Sequence, residues 1–316
     1  PSTLHMILPE CFLEEPDLAE RVRQVQARMS QYIHSEVLVP QEPGFILIER
    51  KTRYAPSRKG LIVAVDLECY DFSKGSQSLI RATEGTIMER IPPRVKIRMG
   101  APLELPHIML LIDDPDRTVI EPLFEQVQTL RKLYDVDLMK EAGHIKGYMV
   151  SQPELVRQVV LALSKLADPE RFQERYGLDQ MPLLFAVGDG NHSLATSKTV
   201  WEELKRQSTD EQALMNHPAR YALVEIMNLY DEALVFEPIH RVINPIRLQE
   251  LLDDLQLEAG FAFHEMTGID TMNLFLEELY RQDPQSHAVG VIAGERMGVL
   301  VLTETHSLEV GTLQHR

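Results

Sequence analysis

The chain has 316 residues, with 48 acidic against 32 basic side chains and a formal net charge of -16 at pH 7. At about 150 residues per domain this length predicts roughly two domains, and 44% hydrophobic with 25% charged residues argues against disorder, collagen or coiled coil. The acidity disfavours nucleic acid and anionic membrane surfaces as bulk partners, and no apolar run approaches the roughly 18 residues of a spanning helix.

In chain order, residues 16–36 read as an amphipathic helix, with Leu18, Val22, Val25, Met29 and Ile33 at helical spacing. Strands are predicted over 45–50 and 61–67, joined by a polar connection holding Pro56 and Gly60. A buried strand over 107–113 ends in the acidic turn Asp113-Asp114-Pro115-Asp116, and a helix is expected from about Glu121 to Leu133. The stretch 140–151 reads as a short strand and turn. Pro153 opens a strong helix with Leu155, Val156, Val159, Val160, Leu163 and Leu166 on one face. A loose boundary near residue 150 separates an α+β part, 1–150, from an α/β part, 151–316. In the second part Leu183 to Val187 reads as a strand and 191–206 as a helix with the single Trp201. Strands are predicted over 221–228 and 233–236, 261–264, and a hairpin of 287–293 with 297–303. Helices are predicted over 245–257 and 271–280. The mixture implies an α+β (mixed α/β) fold, with mixed or antiparallel sheets and packed helices.

Charge is uneven. Residues 50–98 hold 11 basic and 5 acidic side chains, an island of +6 in a remainder of -22. Such an island suits a bound anion; the plain alternative is solvated charge guarding strand edges. Cys11 and Cys69 fit no metal or redox spacing and imply a reducing compartment, hence the cytoplasm. From Pro1 onward the sequence shows no charged-then-apolar signal-peptide pattern.

The sharpest local feature is Ala186-Val187-Gly188-Asp189-Gly190-Asn191-His192-Ser193. An apolar strand meets two glycines and then a helix start. Glycines allow close backbone approach and positive φ, and the helix start offers unpaired N–H groups and a positive dipole end for an anion. Asp189 is a candidate base or cap, His192 a phosphate partner or proton shuttle, and Ser193 a donor. A plain capped turn needs one such residue, not four in five positions. The motif is neither a Walker loop nor a dinucleotide fingerprint. A second segment, Arg81 to Thr86, offers Arg81 for phosphate, Thr83 as donor or cap, and Glu84 as a base or Mg²⁺ partner. A third, Pro238-Ile239-His240-Arg241, adds His240 and Arg241. Catalytic candidates are therefore Glu84, Asp189, His192 and His240. Ligand-binding candidates are Arg81, Thr83, Gly188, Gly190, Asn191, Ser193, Asn228 and Arg241, and no set of protein metal ligands is assigned.

Four stretches, SLIRATEGTIMERIPPRVKIR, LELPHIMLLIDDP, AVGDGNHSLATSK and FEPIHRV, together resemble the domain of unknown function 1015 family, in the branch with Gly-Asp-Gly-Asn-His-Ser. The resemblance spans essentially the whole chain. It implies that the chain is the middle of a longer protein. More distantly, Asp189, Gly190 and His192 are similar to the phosphate-handling core of ParB/sulfiredoxin-like proteins, implying such a core in the second half. The arginine that usually follows the histidine there is Ser193 here, so Arg81 or Arg241 would have to supply the charge.

The leading expectation is a cytoplasmic, nucleotide-dependent phosphotransferase acting on a small hydroxyl metabolite, with Mg²⁺ and ADP or ATP. Its partner would be a small anionic or phosphorylated ligand, not nucleic acid or membrane. The alternatives are a non-catalytic module sensing a nucleotide or phosphometabolite, and a metal-dependent phosphatase using Asp189. All three require the motifs to share a cleft.

Overall fold

The computed structural model describes residues 2–55, 57–105, 108–234, 240–244, 246–258, 261–283 and 286–302. The chain is α+β. Its contacts divide it into two units, Pro1–Val235 and Phe236–Arg316.

The first unit is built on a nine-stranded mixed sheet in the order β3-β4-β8-β5-β9-β2-β1-β7-β6. The chain enters through helix α1 (Leu18–His34), then strands β1 (Phe45–Lys51), β2 (Arg58–Asp66), β3 (Tyr70–Asp71) and β4 (Ile80–Arg81). Helix α2 (Ile91–Arg98), β5 (Met109–Ile112), α3 (Glu121–Glu125), β6 (Arg131–Asp137) and β7 (His144–Val150) follow. Then come α4 (Pro153–Leu166), α5 (Pro169–Tyr176), β8 (Phe185–Asp189), α6 (Asn191–Gln207), α7 (Glu211–Met215) and β9 (Tyr221–Asn228). The pairs β3/β4, β4/β8 and β5/β9 are parallel; the pairings of β1, β2, β6 and β7, and that of β5 with β8, are antiparallel. Strands β8 and β9 sit in one sheet with β1, β2 and β7, so the sheet runs across the boundary expected near residue 150.

The main core lies on the sheet, with Leu47, Leu61, Leu110, Val187, Leu194 and Ile226 among its buried members. A smaller core gathers Met6, Val25, Met29 and Tyr32 around α1, with Leu103 packed against it. Helix α1 buries Val22, Val25, Met29 and Tyr32, an alternating three- and four-residue step, and Ile33 faces out. Helix α4 likewise buries Leu155, Val159 and Ala162 and exposes Val160, a narrower stripe than its sequence suggests.

The helix expected over 121–133 is corrected. Helix α3 ends at Glu125, and Arg131–Asp137 is the edge strand β6, paired antiparallel with β7. Pairing with an adjacent strand overrides a weak local helical pattern. Helices α2 and α5 add to the expected elements. Pro92 in the first turn of α2 and Pro169 at the first position of α5 start these helices rather than break them.

In the second unit, α8 (Leu248–Glu258), β10 (Phe261–Met266), α9 (Ile269–Gln282), β11 (His287–Ala293) and β12 (Arg296–Leu302) form a three-stranded antiparallel sheet, order β10-β12-β11, with two helices. This agrees with the expected helices, strand and hairpin. Of the strand expected over 233–236, residues 233–234 lie in a turn and 235–236 fall outside the described residues. Among the described residues no helix is long and apolar enough to cross a membrane.

Candidate functional site

The strand–glycine–helix junction forms as its sequence implies, with the two glycines in different roles. The β5–β8 register shifts so that Met109 faces Asp189 while Leu110 faces Val187. Gly188 is the extra residue, a bulge that re-aims the strand end toward Asp189 and Gly190. A Cβ on Gly188 would stand 2.9 Å from Leu111 Cγ, so the bare backbone accommodates a neighbouring side chain rather than a ligand. Gly190 carries the positive φ, 85°, and is the N-cap of α6. No side chain caps the helix, so its first-turn amides have no side-chain acceptor there, the condition an anion seat needs. Asp189 accepts from the Gly190 amide at 2.7 Å.

The 81–90 segment is fastened onto this helix start. Asn191 is buried; its Oδ1 accepts from the Thr83 amide at 3.2 Å and its Nδ2 donates to Thr83 Oγ1 at 3.3 Å. Thr83 Oγ1 in turn donates to the Val187 carbonyl at 2.6 Å. Further along, the Ile87 amide donates to His192 Nε2 at 3.2 Å. With Nε2 accepting, the proton of the neutral ring sits on Nδ1, which lies 3.8 Å from Glu84 Oε1. Glu84 and His192 thus face one another as an imidazole–carboxylate pair.

Both line a cleft of about 390 Å³ together with Asp189, Gly190, Asn191 and Ser193. Its positive charge comes from Arg90, Arg94 and Arg98, spaced every four residues along one face of α2 and the turn before it. Arg98 is mostly buried and binds α2 to α6: it donates to Ser193 O at 2.6 Å, Ser193 Oγ at 2.5 Å and Ser197 Oγ at 2.7 Å. Burial lowers its pKa, and Glu104 at 4.0 Å opposes that shift. Arg94 donates to the Arg90 carbonyl at 2.8 Å and pairs with Glu10 from the N-terminal segment. The Arg90 guanidinium has no side-chain partner among the described residues. The cleft therefore has mixed charge, with its carboxylates spoken for: Glu10 by Arg94, Glu104 by Arg98, Asp189 by a backbone amide and Glu84 by the imidazole.

Arg81 and Asn228 lie outside the cleft lining. Arg81 donates Nε to Ser78 O at 2.8 Å and Nη2 to Met181 O at 2.5 Å and Pro182 O at 3.2 Å, clamping three carbonyls outside the cleft lining. Asn228, buried at the end of β9, donates to Asp114 O at 2.8 Å and Glu121 Oε1 at 3.0 Å. Asp114 itself holds the following turn through the Thr118 and Val119 amides. Both are joints of the fold. His240 and Arg241 are exposed residues of the second unit, whereas the cleft belongs wholly to the first. The residues that sequence reasoning missed are Arg90, Arg94 and Arg98. Their signal was present as an i, i+4, i+8 arginine spacing inside the basic island.

The structure defines an α+β protein whose larger unit presents an arginine-lined cleft at a strand–glycine–helix junction. The chain belongs to the family described as protein of unknown function (DUF1015), whose profile matches residues 1–315. No curated protein and no solved structure matches it, and the more distant ParB/sulfiredoxin-like likeness gains no support.

Proposed function

We propose that the protein is a cytoplasmic phosphotransferase that moves a phosphoryl group from a nucleotide to a small hydroxyl metabolite in this cleft. The observation that carries the reading is the facing Glu84–His192 pair in the same cleft as Arg90 and Arg94. Phosphoryl transfer asks a protein chiefly for positioning and for cationic stabilisation of phosphate oxygens. The first-turn amides of α6 and the Arg90 and Arg94 guanidinia supply these. Glu84 would take the proton of the attacking hydroxyl, with the Nδ1–H of His192 facing that carboxylate. That oxygen forms the new P–O bond as the nucleoside diphosphate leaves.

Among the described residues no group of three or more His, Cys, Asp or Glu is placed to hold a metal by itself. Mg²⁺ in phosphoryl transfer commonly takes only one or two carboxylates and completes its shell with water and phosphates. Asp189 is the carboxylate that would hold it, and the ion would neutralise phosphate charge. The cytoplasmic assignment draws support from Cys11 and Cys69, both free and exposed.

The test is a thermal-shift and turnover screen with ADP, ATP and CTP with and without Mg²⁺. A ligand at 100 times its dissociation constant stabilises by roughly 2.7 kcal/mol. No shift with any nucleotide or phosphometabolite refutes the reading. A second reading, a sensor that binds without turnover, draws support from the engagement of Arg94, Arg98 and His192 Nε2 by the protein itself. His192→Ala separates the two: it lowers kcat in a transferase and affinity alone in a sensor.

A further inference from the structure

The lining of the cleft is of two kinds. Its charged side chains are the three arginines, the four carboxylates and His192. Its uncharged wall is aliphatic: Ile7, Leu8 and Leu13 from the N-terminal segment, and Ile97, Leu103 and Leu105 from the end of α2 and beyond. Behind these lie Met6 and Met29, which are buried and belong to the small core around α1. Ile7 and Leu105 are themselves 39% and 37% exposed, large apolar side chains left facing the opening.

Among the described residues the lining contains no Phe, Tyr or Trp. Among the described residues its only neutral polar side chains are Asn191 and Ser193. Asn191 spends its oxygen and one amide hydrogen on Thr83, and Ser193 Oγ accepts from Arg98. A sugar is read by several amides and hydroxyls with bonds to spare, and a pocket with so few leaves polar groups of such a ligand unpaired.

Resting on the reading of this cleft as an anion seat, we infer that its cognate ligand is an aliphatic phosphate, an alkyl chain carrying the anion, rather than a sugar phosphate. In the proposed reaction this is the phosphorylated product, and its parent alcohol is the acceptor. The phosphate meets Arg90, Arg94 and the start of α6, and the alkyl chain covers Ile7, Leu8, Leu103 and Leu105.

The experiment is calorimetric titration of the whole chain with inorganic phosphate, a methyl-to-hexyl phosphate series, glycerol phosphate and ADP. Burying one methylene on an aliphatic wall tightens binding about three- to fourfold, so affinity should climb by that factor per carbon. Leu105→Asn should flatten the climb, and Ile7→Asn provides a second, equally exposed site for the same effect. Arg90→Ala should weaken every member of the series by the same factor. A flat series, or glycerol phosphate binding more tightly than hexyl phosphate, overturns the aliphatic inference while leaving the anion seat standing. If neither phosphate nor any ester binds, the anion seat falls with it.

Discussion

Replacing Asn191 by alanine tests the joint on which the site depends. Asn191 is 5% exposed, and its amide makes two hydrogen bonds to Thr83, one to the backbone N–H and one to the hydroxyl. Each bond contributes about 0.5–1.5 kcal/mol net, so losing both costs about 1–3 kcal/mol. The Thr83 hydroxyl keeps its bond to the Val187 carbonyl, but its amide loses its acceptor, which places the cost in the upper part of that range. Alanine is the better helix former by a few tenths of a kcal/mol, a partial offset at a first-turn position.

The effect should also be local. Thr83 and Ile87 are the two ties between the 81–90 segment and α6, and Glu84 lies between them. Loss of one tie should speed hydrogen exchange at the Thr83 amide between about fivefold and 150-fold, the equivalent of 1–3 kcal/mol. Phosphate affinity should fall as Glu84 and His192 lose register. Urea unfolding of Asn191→Ala, Thr83→Ala and the double variant supplies the control. The pair should couple by about 0.5–3 kcal/mol. Additive effects, or unchanged exchange at Thr83, would refute the claim that this contact fastens the site.

Other expectations concern neighbouring parts. Glu10→Gln should release Arg94 and tighten phosphate binding up to about fivefold in calorimetry, since such partly exposed pairs contribute about 0.2–1 kcal/mol; weaker binding would show that Glu10 holds the arginine for the ligand. Gly188→Ala should destabilise by about 1–3 kcal/mol by crowding Leu111, and Leu111→Ala should recover part of that loss in the double variant. The carboxyl of Asp66 is held below its ordinary value chiefly by hydrogen bonds from Arg220. A depressed folded-state pKa stabilises above the unfolded value of about 4 and is lost as pH falls through the folded one. Arg220→Met should therefore flatten the acid limb of a stability-versus-pH curve. Arg98→Lys should leave the charge but weaken the three-bond fork onto Ser193 and Ser197, lowering the thermal midpoint.

The junction at Gly188–Ser193 was legible because several rules converge there. A strand of apolar residues, a residue that must adopt positive φ and a helix start leave little conformational choice. The edge strand β6 was not legible. Arg131–Asp137 buries none of its residues, so it carries no apolar alternation and becomes a strand through its pairing with β7. Asn228 and Arg81 misled in a common way. A polar residue at a strand end, or an arginine in a basic island, is equally suited to a ligand and to a carbonyl of its own chain. The choice is made by which neighbours the fold supplies: Asp114 for one, Met181 and Pro182 for the other.

The basic island itself makes the same point about charge. Its +6 is concentrated, but the member that stands out in sequence is Arg81, because it lies nearest a Thr and a Glu. The arginines that reach the cleft are Arg90, Arg94 and Arg98, which sequence separates by three residues each and a helix stacks on one face. Pro92-Pro93 lie inside that spacing. Read as breakers, they erase the four-residue spacing; read as residues of a first turn, where proline has no hydrogen bond to lose, they create it. The aliphatic wall was concealed in the sequence. Ile7, Leu8, Leu13 and Leu105 are nearly a hundred residues apart at the extremes, and only the packing of the N-terminal segment around α1 brings them beside the arginines. An anion seat can be read from spacing within one helix. The chemistry of the group that carries the anion depends on tertiary neighbours, so the alkyl phosphate series tests the part of the site that the sequence alone could not have specified.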